Sequence, residues 1–227
     1  MNNLSLYPLP SEDWQTQYDS LLKDPYIASK YNRVNRLQNK IKYIAEFLPE
    51  LMQLKEGKVL DIGTGPGEFL EVCRDMNFEV FGVDAPIGHS EMGDEYLLLS
   101  KLMTERQQLN VTYSGVDLDS FADNTFALVN LQGSIEQVFK DYMIGTPHRL
   151  HKNANLLSWD IGDKLTEKMR LFLTNIYRIL VKDGILMIYA NGAQNVKEYD
   201  DMMADLAEKI GFKKVIQSKH SIHKLQK

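Results

Sequence analysis

The sequence contains one cysteine, Cys73, among 227 residues. A single cysteine excludes a disulfide within this sequence and a zinc site built from several thiolates, and its helical context predicts a core residue. The chain also lacks an apolar run long enough to span a bilayer. Its first residues lack the basic stretch of a secretion signal. We therefore expect a cytoplasmic protein with no membrane-spanning segment.

An excess of positive charge is also missing, since the formal net charge is −5. This balance argues against a general nucleic-acid binder, which needs clustered lysine and arginine, although it does not exclude RNA. The residues from Lys209 onward contain lysines and no acid. We interpret them as a solvated hairpin that protects a sheet edge, rather than as a patch for an anionic acceptor.

Length and apolar periodicity indicate one α/β domain over residues 1–227. Apolar residues at helical spacing stop at Pro49, which predicts an N-terminal helical cap over 1–56. From residue 57 onward, strand patterns alternate with helical patterns, and this alternation predicts a doubly wound, mostly parallel sheet with helices on both faces. The predicted strands cover 59–62, 79–84, 110–113, 126–131, 185–190 and 212–216. Helical patterns run from Leu165 to Leu180 and from Tyr199 to Ile210.

The most informative segment is a glycine-rich turn that follows the first predicted strand. Gly63, Gly65 and Gly67 alternate there, a pattern that suits the close approach of backbone to a ligand better than it suits a packed strand. Asp61 lies at the mouth of the turn, and Asp84 ends the next strand. Two such carboxylates can hold the amino end and the ribose hydroxyls of one extended nucleoside ligand.

The spacing distinguishes this turn from a dinucleotide-binding fingerprint. In that fingerprint two residues separate the second glycine from the third, which places the third at position 68; this sequence has Glu68 there and a glycine one position earlier, at Gly67. Asp61 would repel a pyrophosphate but attract an α-amino group. The sequence therefore argues against NAD.

The segments V-L-D-I-G-T-G-P-G and F-E-V-F-G-V-D-A-P resemble the class I methyltransferases that use S-adenosylmethionine. Residues 123–129 resemble the approach to that family's fourth strand, and residues 178–186 are similar to its R-x-L-K-P-G-G-x-L segment. Residues 134–138 lie where the family often has a small residue followed by Leu, Glu, His and Val. Departures from the family pattern occur at Ala127, Gln137, Asp183 and Ile185. These departures concern the acceptor chemistry more than the cofactor, because the glycine turn and Asp84 keep the family pattern.

The resemblance implies a seven-stranded class I methyltransferase fold and S-adenosyl-L-methionine as the cofactor. It also implies that the cofactor contacts residues at the turn, at the ends of the second and third strands and in the fourth strand. These residues are Asp61, Gly63, Thr64, Gly65, Gly67, Asp84, Ala85, Val116, Asp117 and Asn130. The acid beside the adenine could be either Asp117 or Asp119.

The acceptor site is less determined by the sequence. An insertion over residues 139–162, after the fourth strand, is longer than the core fold requires and predicts a lid. Gln132 and Trp159 are candidates for acceptor contacts, and His148 and His151 are weak candidates for a general base. No third ligand accompanies the two histidines, so we predict no metal site. The D/N-P-P-Y/F signature of enzymes that methylate nucleobase amines is absent.

These features predict a methyltransferase acting on oxygen or nitrogen of a small-molecule acceptor. Two alternatives stay open. An aminopropyl transferase could use a decarboxylated cofactor on the same fold, and a non-catalytic domain could keep the fold as a cofactor-binding or partner-binding module. The sequence does not determine the acceptor or the oligomeric state.

Overall fold

The computed structural model describes residues 13–31, 33–45, 52, 57–84, 93–113, 118–132, 134, 163–189, 203–217 and 222–227. The chain divides into two compact units. The first comprises residues 1–55 and 59–115, and the second comprises residues 56–58 and 116–227. The single domain expected over the whole sequence stays a prediction. The predicted lid, residues 139–162, lies outside the described residues.

The first unit begins with three helices: α1 (Trp14–Leu21), α2 (Pro25–Lys30) and α3 (Arg33–Ala45). A later helix of the same unit, α5 (Gly93–Arg106), packs against α1 and α2. Trp14 is fully buried, stacks on Tyr18 with ring centroids 4.9 Å apart, and donates from Nε1 to the Leu102 carbonyl at 2.7 Å. The shared cluster consists of Trp14, Tyr18, Ile27, Tyr31, Leu99, Leu102 and Met103. Residues 14–21, 25–30 and 33–45 are thus helical, and α1 and α2 are anchored to α5 by an aromatic core. The helical cap over 1–56 stays a prediction.

Three strands complete the first unit: β1 (Lys58–Ile62), β2 (Glu79–Val83) and β3 (Val111–Thr112). They lie in the order β3-β2-β1, and β2 and β3 pair in parallel. Helix α4 (Glu68–Asp75) follows β1 and buries Phe69, Leu70 and Cys73. The core role predicted for Cys73 is confirmed.

The second unit contains β4 (Phe126–Gln132), α6 (Asp163–Ile179), β5 (Leu180–Tyr189), α7 (residues 203–210), β6 (Lys213–Gln217) and β7 (Ile222–Gln226). Its strand order is β4-β5-β7-β6. Strands β4 and β5 are parallel, whereas β7 is antiparallel to both β5 and β6. The lysine-rich end of the chain therefore forms an antiparallel pair in which β6 is the outer strand, in agreement with the interpretation as an edge hairpin.

The fifth strand begins earlier than its apolar pattern predicts. We expected a strand over 185–190 and a helix that reached Leu180, but α6 ends at Ile179 and Leu180 already pairs with Phe126. The register then shifts between Phe126 and Leu128, and Asp183 adopts a φ of 63° in the irregular part of β5. The apolar pattern predicted only the regular half of β5, from Ile185 onward. The earlier half is defined by its pairing with Phe126, which is distant in sequence.

Arg178 holds the loop that leads into β4. Its Nη1 donates to the Phe121 carbonyl at 2.8 Å and to the Asp123 carboxylate at 2.6 Å, while its Nη2 donates to the Leu118 carbonyl at 2.8 Å. The planar guanidinium presents several donors in fixed directions, so one side chain can bind several acceptors. This gives a structural reason for an arginine at the end of α6.

We expect Trp14→Phe to lower the free energy of unfolding by about 2 kcal/mol or more, because it removes indole volume and leaves the buried Leu102 carbonyl without its donor. Urea titrations followed by circular dichroism measure the change. The matched control is Gln15→Ala in the same helix, where the side chain is exposed and bonds only Asp19; this change should stay within about 0.5 kcal/mol. Equal stability of Trp14→Phe and the control would contradict the role given to the aromatic cluster.

Candidate functional site

The glycine turn connects β1 to α4 in a backbone conformation that other residues rarely adopt. Gly63, Gly65 and Gly67 have φ values of 78°, 54° and 87°. The Gly63 N–H donates to the Val83 carbonyl at 2.9 Å, which joins the turn to the end of β2. Positive φ is accessible to glycine without steric cost. The three glycines predicted to lie close to a ligand therefore have a conformational reason to be glycine.

Thr64 closes the turn from within. Its hydroxyl donates to the Asp61 carbonyl at 3.0 Å, and its carbonyl accepts from the Gly67 N–H at 3.2 Å. The side chain is 5% exposed, and it lies against Gly82 of β2, where a Cβ would come within 2.5 Å of the Thr64 hydroxyl. Thr64 was predicted to contact the cofactor; the structure shows its side chain engaged inside the protein, shaping the turn.

The structure brings Asp84 to the turn, as its position after β2 predicted. The Gly65 N–H donates to Asp84 Oδ2 at 2.8 Å, and the Asp84 N–H donates to the Thr112 carbonyl at 2.9 Å. The turn therefore binds the carboxylate, while β3 binds the backbone of the same residue. Asp61, in β1, is 3% exposed. Two carboxylates and the glycine backbone thus belong to one region of the first unit.

Arg36 and Glu68 form an ion pair beside this region that the sequence analysis did not identify. Arg36 Nε donates to Glu68 Oε1 at 2.7 Å and Nη2 to Oε2 at 3.2 Å. Glu68 is fully buried, whereas 28% of the Arg36 side chain is exposed. Burial alone would lower the pKa of Arg36, but the Glu68 carboxylate raises it above its ordinary value. The guanidinium is therefore a permanent positive charge near the glycine turn.

A second cation of α3, Lys40, lies four residues after Arg36. Burial lowers the pKa of Lys40, and the charges of Asp61 and Glu68 oppose that shift. Burial, with the nearby charge of Asp61, raises the pKa of the Cys73 thiol well above its usual range. The thiol is accordingly neutral at pH 7. The i,i+4 spacing of Arg36 and Lys40 on one helix face was the sequence signal that could have revealed this basic pair.

Two tyrosines border the same region. A Cβ built on Gly65 would lie 3.4 Å from the Tyr96 hydroxyl, and the Tyr113 hydroxyl is 2.8 Å from the Thr104 hydroxyl. Burial raises the pKa of each tyrosine to about 12, and the charge of Asp84 acts in the same direction on both. Both hydroxyls therefore keep their protons at neutral pH and can donate hydrogen bonds.

The remaining predicted residues are in the second unit or outside the described residues. Asn130 is fully buried in β4 and pairs with Met187. Gln132, the last residue of β4, pairs with Tyr189 and is partly exposed. The candidates that lie outside the described residues are Ala85, Val116, Asp117, His148, His151 and Trp159.

Among the described residues, no group of three or more histidine, cysteine and carboxylate side chains could hold a metal ion. In the same part of the chain, no helix combines the length and the apolar character needed to cross a membrane.

A comparison with protein families finds a match over slightly less than half of the chain. Residues 31–141 match a family described as a methyltransferase domain. No curated protein matches the chain at a significant level.

Two solved structures resemble the described fold. A SAM-dependent methyltransferase from Archaeoglobus fulgidus is 20% identical over 84% of this chain and 75% of its own, with a TM-score of 0.51. A SAM-dependent methyltransferase from Aquifex aeolicus is 16% identical over 95% of this chain and 98% of its own, with a TM-score of 0.50. At these identities the two structures establish the fold.

The raised pKa values of Tyr96 and Tyr113 predict a loss of stability at alkaline pH. A tyrosine whose folded pKa exceeds its unfolded value of about 10 stabilises the fold while it is protonated. That contribution is complete below pH 10 and is lost as the pH rises toward about 12, the pKa of both tyrosines in the folded state. We expect the unfolding free energy to fall across this window, and to fall less steeply in Tyr96→Phe.

Urea titrations at fixed pH values between 8 and 12 measure this slope. The Tyr96→Phe and wild-type curves should run parallel below pH 10, where the hydroxyl does not titrate. Parallel curves above pH 10 as well would show that Tyr96 ionises equally easily in the folded and unfolded chains.

Proposed function

We propose that this chain, whose residues 31–141 match a methyltransferase domain and whose fold resembles that of SAM-dependent methyltransferases, uses S-adenosylmethionine to methylate an oxygen or nitrogen of a small-molecule acceptor. The observation that carries the cofactor part of this proposal is the hydrogen bond from the Gly65 N–H to Asp84. It joins the glycine turn to the carboxylate that the family pattern assigns to the ribose. The acceptor class rests on the sequence, which lacks a strong basic excess and the nucleobase-methylating signature.

The residues of the turn fit this cofactor. Gly63 and Gly65 have positive φ and carry no side chain of their own, so a ligand can approach the backbone of the turn closely. We assign Asp61 to the amino group, Gly63, Gly65 and Gly67 to the close backbone approach, and Asp84 to the ribose hydroxyls. In this proposal Thr64 supports cofactor binding indirectly, because its hydrogen bonds hold the turn in shape. Ala85, Val116, Asp117 and Asn130 complete the proposed set.

The cofactor supplies a methyl group on a positively charged sulfur. The protein's part in such an in-line displacement is to hold both reactants in line and to exclude water. Gln132 and Trp159 are our candidates for orienting the acceptor, within a lid over residues 139–162. His148 and His151 are candidate general bases for an acceptor that must lose a proton, a role for which imidazole has a suitable pKa.

Turnover distinguishes this proposal from its two alternatives. A methyltransferase releases S-adenosylhomocysteine when it meets its acceptor, whereas an aminopropyl transferase releases methylthioadenosine from a decarboxylated donor. A non-catalytic module releases neither product. Screening small hydroxyl and amine compounds for release of S-adenosylhomocysteine, with mass-spectrometric detection of the methylated product, therefore tests the reaction class directly.

We expect Asp84→Asn to weaken the binding of S-adenosylhomocysteine by at least about tenfold, because a hydrogen bond to a charged carboxylate contributes about 1.5–3 kcal/mol. Isothermal titration calorimetry measures the affinity, and thermal unfolding shows that the variant is folded. The matched control is Asp75→Asn, which removes an exposed carboxylate at the end of α4 and should leave the affinity unchanged.

The affinity of the wild type for NAD is measured by the same calorimetry. Tighter binding of NAD than of S-adenosylhomocysteine by the wild type would contradict the proposed cofactor. Unchanged affinity in a folded Asp84→Asn variant would instead show that another residue holds the ribose.

A further inference from the structure

The side chain of Arg178 binds three acceptors in the loop over residues 118–125. Two of them are the carbonyls of Leu118 and Phe121, and the third is the Asp123 carboxylate. The Phe121 N–H also donates to the Leu118 carbonyl, at 3.3 Å. The Leu118 carbonyl thus accepts two hydrogen bonds, and the guanidinium holds the turn from Leu118 to Phe121 at both of its ends.

The backbone at the end of α6 holds the second half of the same loop. The Asn124 N–H donates to the Arg178 carbonyl at 3.0 Å, and the Thr125 N–H donates to the Ile179 carbonyl at 2.7 Å. The last carbonyls of a helix need such partners from outside the helix. These two bonds therefore complete the end of α6 without the Arg178 side chain, whose carbonyl contacts lie only in the first half of the loop.

The first residue that Arg178 holds lies next to the proposed contacts of the base. Leu118 follows Asp117, which we assign to the cofactor, and precedes Asp119, the alternative acid beside the adenine. Leu118 is 4% exposed. Because each peptide group is planar, a fixed Leu118 restricts the backbone on both sides. Either acid therefore depends on Leu118 for its position.

Recognition of adenine by an acid requires such restriction. Adenine presents an amine that donates a hydrogen bond, and a carboxylate accepts from it. Hypoxanthine has a carbonyl oxygen in place of this amine, so it would present an acceptor to the carboxylate. Hydrogen bonds weaken steeply when their distance or angle departs from the optimum. The distinction between the two bases is therefore only as good as the placement of the acid.

We infer that Arg178 is a positioning residue for recognition of the cofactor's base, and that it acts by holding the backbone at Leu118. This inference rests on the proposed function, because it concerns the base of the same cofactor. The guanidinium acts through the loop rather than by touching the ligand. Its planar set of donors suits this task, since one side chain can bind two carbonyls in fixed directions.

Calorimetry with two ligands that differ only in the base tests this role. S-adenosylhomocysteine contains adenine, whereas S-inosylhomocysteine has hypoxanthine on the same ribose and amino acid. We expect the wild type to bind S-adenosylhomocysteine at least about tenfold more tightly, because the wrong base leaves a polar group without its partner. Arg178→Gln should reduce this preference to within about threefold.

Arg178→Lys is a second variant, which serves also if Arg178→Gln does not fold. A lysine keeps the positive charge but lacks the planar set of donors, so its preference for S-adenosylhomocysteine should fall between those of the wild type and Arg178→Gln. Thermal unfolding shows that each variant is folded at the temperature of the titration.

Two controls separate the carbonyl contacts from other effects of the change. Asp123→Asn removes the carboxylate that pairs with Arg178 and leaves the contacts with Leu118 and Phe121. Arg170→Gln removes an exposed arginine of the same helix. Both variants should keep the wild-type preference between the two ligands.

The outcomes distinguish the inference from the proposed function. A wild type that binds neither ligand contradicts the proposed cofactor site itself. A wild type that binds both ligands equally contradicts only the inference. So does a folded Arg178 variant that weakens both ligands by the same factor, because a purely structural role for Arg178 would leave their ratio unchanged.

Discussion

The left-handed backbone of the glycine turn is the constraint on which the arrangement of the first unit depends. A residue other than glycine would destabilise the folded state by about 1–2 kcal/mol at each of these positions, because it would have to adopt a left-handed backbone conformation. At Gly67 the restriction is also steric, since a Cβ would come within 2.5 Å of Leu109 Cδ1. At Gly82, in the neighbouring strand, the missing side chain admits the Thr64 hydroxyl. The shape of the turn therefore depends on its own three glycines and on Gly82 in β2.

The sequence predicted those features that depend on neighbours in the chain. The first two strands, the turn and the position of Asp84 follow from apolar runs and glycine spacing, which are local signals. The early start of β5 at Leu180 was missed because it depends on pairing with Phe126, a tertiary contact. Arg36 was missed because α3 was interpreted from its apolar spacing alone, so its basic residues were not considered near the turn. Tyr96, in α5, was missed because its approach to Gly65 is a tertiary contact.

The charges of α3 explain how acidic residues are tolerated beside the turn. Asp61 and Glu68 are almost completely buried, and burial of an unpaired carboxylate is strongly unfavourable. Arg36 binds Glu68 directly, and the charge of Lys40 interacts with that of Asp61. Helix α3 thus supplies positive charge to the acids of β1 and α4. The N-terminal helices are part of the electrostatics of the site as well as of its packing.

The same acids determine which ligands suit the N-terminus of α4. A helix N-terminus carries partial positive charge and commonly binds the phosphates of a dinucleotide. Here the first turn of α4 contains Glu68 and Glu71, both buried, so the helix dipole already interacts with two carboxylates of the chain itself. Arg36 balances the charge of Glu68, so the first turn is not simply anionic. However, carboxylates of the chain already lie at this helix N-terminus and interact with its partial positive charge, which leaves less of that charge for a pyrophosphate. The protein therefore shares the strand, glycine turn and helix of the dinucleotide-binding folds, but its helix N-terminus already interacts with carboxylates of the chain.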